Sequence, residues 1–331
     1  ISGIAAAGVG IIFISHKLDE VISISDRIVV MRDGELVSTL DKKDTNPVEL
    51  AELMVGRGID ASAMAKPRDF SGAKTVLSIR NLTVLMPGEL VKGIDLDVKE
   101  GEILGIAGVE GNGQKELLEA IAGLQPAESG ASIEYYAPDA AAPVQLVGKS
   151  PKAIREAGIH LSFVPEDRLG MGLVGSMGMT GNMMLRSWRK GKGLFLNRKD
   201  PEALANRIWE ELGVVTPSTS FPVRRMSGGN VQKVLVGREI AQSPAVLMTA
   251  YAVRGLDINT SYTIYNLLTE QKMRGVAVVY VGEDLDVLLE LCDRIVVLCG
   301  GQVSGVVDAR KTDKREVGAL MTLVRGGNKD E

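Results

Sequence analysis

The residues around Ser227 have the types and spacing of an anion site. Ser227, Gly228, Gly229 and Asn230 stand at the start of a predicted helix, and Gln232 follows two residues after Asn230. Glycine lets a ligand approach the backbone closely, and the first turn of a helix offers unpaired N–H groups at the positive end of its dipole. This pattern predicts a site for a negatively charged group such as a terminal phosphate. An ordinary serine-capped helix is the alternative.

A second glycine-rich stretch lies between a predicted strand and a predicted helix. It contains Gly108, Gly111, Asn112, Gly113, Gln114, Lys115 and Glu116. The glycine spacing fits the pattern GxxxxGK[ST], in which backbone N–H groups surround the phosphates of a nucleotide. We expect these residues to form a nucleotide-binding loop. A tight strand-to-helix turn without a ligand is the alternative.

The two stretches together resemble ABC-type ATPases. Residues 226–233 are similar to the LSGGQ signature of that family, and the resemblance covers essentially the whole chain. It implies an α/β fold, a P-loop NTPase of ABC type with a mixed, largely parallel sheet core and a helical lobe. It also implies ATP and Mg²⁺ as cofactors.

Several positions depart from the family pattern. Gln114 stands where a lysine reaches the β- and γ-phosphates, and Lys115 stands where a hydroxyl residue holds Mg²⁺. Ala250 takes the position of the Mg²⁺-supporting aspartate, and Tyr251 that of the glutamate that polarises the attacking water. Neither side chain does that work at neutral pH. The resemblance therefore implies a degenerate site, for which we expect no metal ligands.

Three other residues take their roles from the same resemblance. Glu166 occupies the Q-loop position, where the family usually has glutamine, and Asp257 is kept as the D-loop residue. Glu283 stands in place of the switch histidine.

The chain also repeats itself. Residues 14–54 align without gaps to residues 281–321, with 13 identities in 41 positions. We therefore expect residues 1–56 to be the C-terminal remnant of a first ATPase domain, residues 57–75 a linker, and residues 76–331 a second domain whose helical lobe covers about 163–225. In this interpretation the protein is a tandem whose N-terminal part is missing here.

His16 is the candidate catalytic residue of the first copy. It follows an apolar stretch over residues 9–14, which predicts a buried strand, and it matches the family's switch histidine. In ABC ATPases each ATP lies between the P-loop of one domain and the signature of the other. His16 and the signature then face the same nucleotide, and we expect the missing domain to supply most of the Mg²⁺ site. His160 is expected to be structural.

Composition excludes several other classes of protein. The net charge is −4, the chain has no apolar run of 18 residues, and its two cysteines suit neither a disulfide framework nor a metal site. The net charge, without a basic stripe, argues against nucleic acid as a partner. A soluble tandem ATPase acting on ribosomes or nucleic acid, and a nucleotide-binding regulatory module without turnover, are the alternatives to a transport function.

The resemblance is to ATP-binding subunits of bacterial importers for monosaccharides and nucleosides. The loop at residues 108–114 and the loss of acidic residues before Val253 favour the nucleoside branch. The implied partners are integral-membrane permease subunits and, indirectly, an extracytoplasmic solute-binding protein. The implied location is the cytoplasmic face of the membrane, where the subunit is peripheral.

Overall fold

The computed structural model describes residues 1–15, 18–32, 34–55, 72–84, 91–138, 140, 142–187 and 196–323. The chain forms two compact units. One contains Ile1–Ser62 with Leu256–Thr263, and the other contains Ala63–Gly255 with Ile264–Glu331. Within the described residues, no helix combines the length and the apolar character that crossing a lipid bilayer requires.

A β-hairpin flanked by helices forms the first part of the smaller unit. Its elements are α1 (Ser2–Ala6), α2 (Leu18–Ile24), β1 (Arg27–Arg32), β2 (Glu35–Asp41) and α3 (Pro47–Val55). Ile28, Val30 and Leu50 form its buried core. Side chains alternate between the two faces of a strand, so Val29 and Met31 lie on the other face, where they are 51% and 62% exposed.

The larger unit alternates strands and helices. Its strands are β3 (Thr75–Leu82), β4 (Ile94–Lys99), β5 (Ile103–Gly108), β6 (Ser132–Tyr135), β7 (Val144–Gln145), β8 (Leu161–Val164), β9 (Val246–Ala250), β10 (Ala277–Val281), β11 (Arg294–Cys299) and β12 (Gln302–Asp308). The helices after α3 are α4 (Gln114–Ile121), α5 (Pro151–Glu156), α6 (Met179–Met184), α7 (Lys199–Glu211), α8 (Gly228–Ile240), α9 (Ile258–Met273), α10 (Leu285–Leu291) and α11 (Lys314–Thr322).

Two sheets carry these strands. The six-stranded sheet has the order β12-β11-β5-β10-β9-β8, and its neighbours are parallel except for the β11–β12 pair. The other sheet is antiparallel, in the order β4-β3-β6-β7. Every residue of β9 and β10 is buried, which explains why both strands are mostly apolar.

The repeated segments have matching structures. Adding 267 to the bounds of α2, β1, β2 and α3 gives the bounds of α10, β11, β12 and α11. The hairpin register also agrees, because Arg27 pairs with Asp41 as Arg294 pairs with Asp308. The irregularity after Val30 in β1 recurs after Val297 in β11.

The prediction of a buried strand over residues 9–14 is wrong. These residues form no strand, and Ile12 and Ile14 are 94% and 92% exposed. Their counterpart in the repeat, β10, lies between β5 and β9 and pairs with both. A parallel strand needs such neighbours for its backbone hydrogen bonds, and the described residues of the smaller unit contain no equivalents.

The segment predicted as a helical lobe contains several short helical elements. Besides α6 and α7, these are a π-helical turn at Arg168–Gly172 and a 3₁₀ turn at Val223–Arg225. Helix α7 begins at Lys199 and has Asp200 and Glu202 in its first turn. The predicted linker over residues 57–75 lies mostly outside the described residues.

Glu239, buried on α8, joins that helix to this segment. Its carboxylate accepts hydrogen bonds from Arg186 Nη2 at 2.8 Å and from Arg238 Nε at 2.9 Å. Arg238 also donates to the carbonyl of Gly172 at 2.8 Å. The network fixes the start of the helical segment, and the residues after α6, against α8.

Candidate functional site

Four neighbouring strands of the main sheet end at one edge. In sheet order these are β5, β10, β9 and β8, all parallel. Ligands of open α/β sheets bind beyond the carboxyl ends of such strands. The loops that follow these strands carry Glu110, Glu283, Arg254 and Glu166 respectively.

The glycine-rich loop has the shape that its spacing predicts. Gly111 and Gly113 adopt φ values of 89° and 96°, and Gly113 is the N-cap of α4. A Cβ at Gly108 would lie 2.9 Å from the backbone carbonyl oxygen of Leu298 and 2.4 Å from Gln114 Nε2, so a larger residue would force the backbone to shift. Asn112 Oδ1 accepts a hydrogen bond from the backbone N–H of Gly300 at 3.2 Å. The turn therefore leaves backbone N–H groups at the start of α4.

The side chains at the lysine and hydroxyl positions are engaged within the protein. Gln114 is buried and donates from Nε2 to the carbonyl of Val109 at 3.0 Å. Lys115 Nζ lies 3.8 Å from Glu119 Oε1, one turn along α4. Glu116 lies in the first turn of α4 and is partly buried. Gln114 is neutral, and the positive charge of Lys115 lies near Glu119 on α4.

Tyr251 marks the end of β9. Ala250 before it is fully buried, and Tyr251 has a φ of 50°, a left-handed conformation that is uncommon for a bulky residue. Arg254 Cζ lies 5.6 Å from the centre of the Tyr251 ring, within cation–π range. Burial, followed by the charge of Glu110, raises the pKa of Tyr251 to about 12. The phenol therefore stays protonated at neutral pH and is no general base.

Arg254 connects the four loops. Its Nη1 and Nη2 donate to the two carboxylate oxygens of Glu110 at 3.0 and 3.1 Å, and Nη1 also donates to Glu166 Oε1 at 2.8 Å. Its Nε lies 3.5 Å from Glu283 Oε2. We call Arg254 with these three carboxylates the Arg254 cluster. Its hydrogen bonds to Glu110 and then Glu166 raise the pKa of Arg254 above its ordinary value.

The residues at this edge do not fit a Mg²⁺ site. The three carboxylates are paired with one guanidinium, Ala250 and Tyr251 offer no carboxylate, and the ammonium of Lys115 cannot ligate a cation. Within the described ranges, no group of three or more His, Cys, Asp or Glu residues is placed to hold a metal.

The signature residues open α8 with an exposed turn. Ser227 is the N-cap, and its Oγ accepts from the backbone N–H of Asn230 at 3.4 Å and from Asn230 Nδ2 at 2.8 Å. Ser227 and Gly228 are exposed, whereas Gly229 is buried. The side chain of Gln232 is fully buried, and neither polar atom of its amide has a hydrogen-bond partner within the described structure. Because Ser227 and Gly228 are exposed, a ligand from solvent can reach the start of α8.

Asp257 has a local role in the structure. Its carboxylate accepts hydrogen bonds from the backbone N–H of Thr260 at 2.9 Å and from its hydroxyl at 2.8 Å. These bonds cap the start of α9.

Of the two histidines, only His160 is among the described residues. His16 lies outside the described residues. His160 Nδ1 lies 3.1 Å from the carbonyl oxygen of Gln242, a contact that suits the structural role expected for it.

Neither Arg254 nor Glu110 was predicted from the sequence to be a site residue. The available signal was topological. Both residues follow strands of one predicted parallel sheet, and such strands end at the same edge. The sheet order that brings them together is not readable from the sequence alone.

Comparisons with known proteins agree with this architecture. The family model described as ABC transporter matches residues 91–249. The chain is 38% identical over 332 residues to the nucleoside import ATP-binding protein NupA of Lactococcus lactis, with 98% of this chain and 62% of that protein covered. It is 36% identical over 322 residues to a glucose import ATP-binding protein of Haloferax volcanii, with coverage of 95% and 56%. The chain spans about three fifths of the length of the curated relatives it matches.

Solved structures agree on the fold. One described as an ATP-binding subunit of an ABC transporter superposes with a TM-score of 0.60 at 19% identity, covering 75% of this chain and all of that one. The predicted α/β fold, with a mixed sheet core and helical elements, is confirmed.

Proposed function

We propose that the chain belongs to an ATPase subunit of the ABC transporter family that energises the import of a small polar solute. The match of residues 91–249 to the family model described as ABC transporter supports this proposal. ATP and Mg²⁺ are its cofactors. The observation that carries the proposal is the exposed helix start at Ser227 and Gly228, which offers its N–H groups to a phosphate outside this domain.

In this proposal the chain contributes to two unequal nucleotide sites. Ser227, Gly228, Gly229 and Asn230, together with His16, serve a site completed by the P-loop of a first domain, which also supplies most of the Mg²⁺ ligands. The loop at residues 108–116 belongs to the other, degenerate site. The contacts of Gln114 and Lys115 with protein groups support this division.

The repeat supports a tandem of two ABC domains. In the second copy, Val296 and Leu298 are fully buried beside β5, to which β11 pairs. Their counterparts Val29 and Met31 are largely exposed. A strand like β5, running parallel to β1, would complete the first copy in the same way.

The partner in the membrane is proposed to be a permease. Leu169, Met171, Val174 and Met177 follow Glu166 and expose apolar side chains close together in sequence. Arg168 Nη2 donates to the carbonyl of Arg254 at 2.5 Å, which joins this segment to the nucleotide loops. Import also implies an extracytoplasmic solute-binding protein as an indirect partner, and a peripheral position on the cytoplasmic face of the membrane.

A nucleoside is proposed as the solute in preference to a monosaccharide. The support is the loop at residues 108–114 and the slightly higher identity to the nucleoside import protein, 38% against 36% for the glucose import protein. Uptake of labelled adenosine and labelled glucose by cells expressing the transporter would decide between the two solutes.

The test of the composite site is ATP turnover by the full protein with its permease. We expect Ser227→Ala to lower the rate by about tenfold or more, because it removes a group at the reacting phosphate. Ser150→Ala is the matched control, since Ser150 caps α5 in the same way by accepting from Ala153 N at 3.2 Å. Equal rates in the two variants would overturn the proposal.

The permease surface has its own test. Met171→Asp and Met177→Asp should reduce co-purification with the permease, because a charge in an apolar contact is costly to bury. Met273→Asp, at a residue that is 48% exposed at the end of α9, should have no effect.

A further inference from the structure

Arg254 contacts the glycine-rich loop and two of the other loops at the carboxyl ends of the parallel strands. It donates two hydrogen bonds to Glu110 inside the loop, and it contacts Glu166 and Glu283 outside it. One positive charge is set against three negative ones, so the Arg254 cluster is electronegative. It lies at a loop whose lysine position holds the neutral Gln114.

A guanidinium binds phosphate with the same paired geometry that it uses for carboxylate. Glu110 lies between Gly108 and Gly111, so the phosphates of a nucleotide on this loop would come close to its carboxylate. The Glu110 carboxylate and the nucleotide phosphates are both negative and repel each other, and each can bind the guanidinium of Arg254. Glu110 and a nucleotide therefore compete for Arg254.

The ion pair between Arg254 and Glu110 is weak enough to break when a competing anion binds. Glu110 is 70% exposed and Arg254 is 37% exposed, and ion pairs at such exposed positions are weak because solvent screens them. The hydrogen bonds from Arg254 hold the pKa of Glu110 below its usual range, so this carboxylate stays charged at neutral pH.

We propose that Glu110 is an internal competitor of nucleotide phosphates for Arg254, so that the degenerate loop binds a nucleotide only when the Arg254–Glu110 pair opens. Arg254 then takes over part of the role of the lost lysine. This inference rests on the proposed ATP-binding function and specifies how the degenerate site is controlled. It also connects nucleotide binding to the Glu166 segment, because the same guanidinium holds Glu166.

The test is the affinity of this chain for ATP, measured by calorimetry with and without Mg²⁺. We expect Glu110→Gln to bind ATP about three- to tenfold more tightly than the unaltered chain, the scale of an exposed ion pair together with one removed negative charge. Glu156→Gln changes the net charge equally on the exposed face of α5, where Glu156 lies 3.7 Å from Lys152, and should leave the affinity unchanged.

The double variant Glu110→Gln/Arg254→Gln separates competition from simple repulsion. If Arg254 is the phosphate ligand, the double variant loses the gain in affinity. A gain that survives without Arg254, or an equal gain in Glu156→Gln, would overturn the inference. Thermal unfolding of each variant checks that it is folded. This measurement is independent of turnover by the whole assembly, so loss of the Ser227 effect would leave the result interpretable.

Discussion

Lys272 and Asp293 form an ion pair inside the larger unit. Lys272 Nζ lies 2.7 Å from Asp293 Oδ1, and the two side chains are 2% and 3% exposed. Asp293 Oδ2 also accepts from the backbone N–H of Ile103 at 2.9 Å, and Arg310 Nη2 donates to Oδ1 at 2.9 Å. The pair therefore holds α9 and β11 at the first residue of β5, the strand that leads into the glycine-rich loop at residues 108–113.

Breaking this pair should destabilise the fold. We expect Lys272→Met to lower the free energy of unfolding by about 3–5 kcal/mol, because it leaves the Asp293 carboxylate buried with one partner fewer. Urea denaturation followed by circular dichroism measures this. Lys152→Met removes an exposed pair with Glu156 and should cost less than about 1 kcal/mol. Similar losses in the two variants would contradict the buried geometry.

The Arg254–Glu110 contact should depend on pH. Arg254 lowers the pKa of Glu110, so the folded pKa lies below the unfolded one. The contribution of the contact is then fully present above the ordinary carboxylate pKa, and it is lost as pH falls through the lowered value. A ¹³C NMR titration of the Glu110 carboxylate should show the low pKa and its return toward the usual range in Arg254→Gln. An unchanged titration would mean that the contact is not populated in solution.

Introducing lysine at position 114 should increase the affinity for ATP without producing ATP hydrolysis. We expect Gln114→Lys to increase ATP affinity by roughly tenfold, because a charged donor to phosphate is worth more than an amide. Ala250 and Tyr251 still provide no carboxylate for Mg²⁺ or water. Gln114→Met, of similar length without charge, is the control. Phosphate release by Gln114→Lys above that of Gln114→Met would contradict the roles assigned to Ala250 and Tyr251.

The two repeat copies should respond differently to equivalent changes. Leu298 is fully buried, so Leu298→Ala should cost about 2–5 kcal/mol of unfolding free energy. Met31, its counterpart, is 62% exposed, and Met31→Ala in this chain should stay within about 0.5 kcal/mol. In a tandem protein with a complete first domain, Met31→Ala should become as costly as Leu298→Ala. If it stays neutral there, the first copy does not receive a β5-like strand.

Local patterns in the sequence predicted most of the elements that surround the site. The strand-to-helix turn at residues 108–113 and the Ser227 cap depend on backbone conformations that glycine and serine favour over a few residues. The repeat predicted matching elements, because the same spacing of apolar residues gives the same hairpin register.

The sequence by itself determined the fold class and the two local turns at residues 108–113 and at Ser227, and it predicted that Ala250 and Tyr251 lack catalytic side chains, because each of these depends on residues that are neighbours along the chain. The tertiary structure decided that residues 9–14 are not a strand, since β pairing needs neighbours that no single segment contains. It also decided the Arg254 cluster. Glu110, Glu166, Arg254 and Glu283 are far apart in the chain, and only the order β5-β10-β9-β8 places their loops at one edge, where Arg254 contacts all three carboxylates.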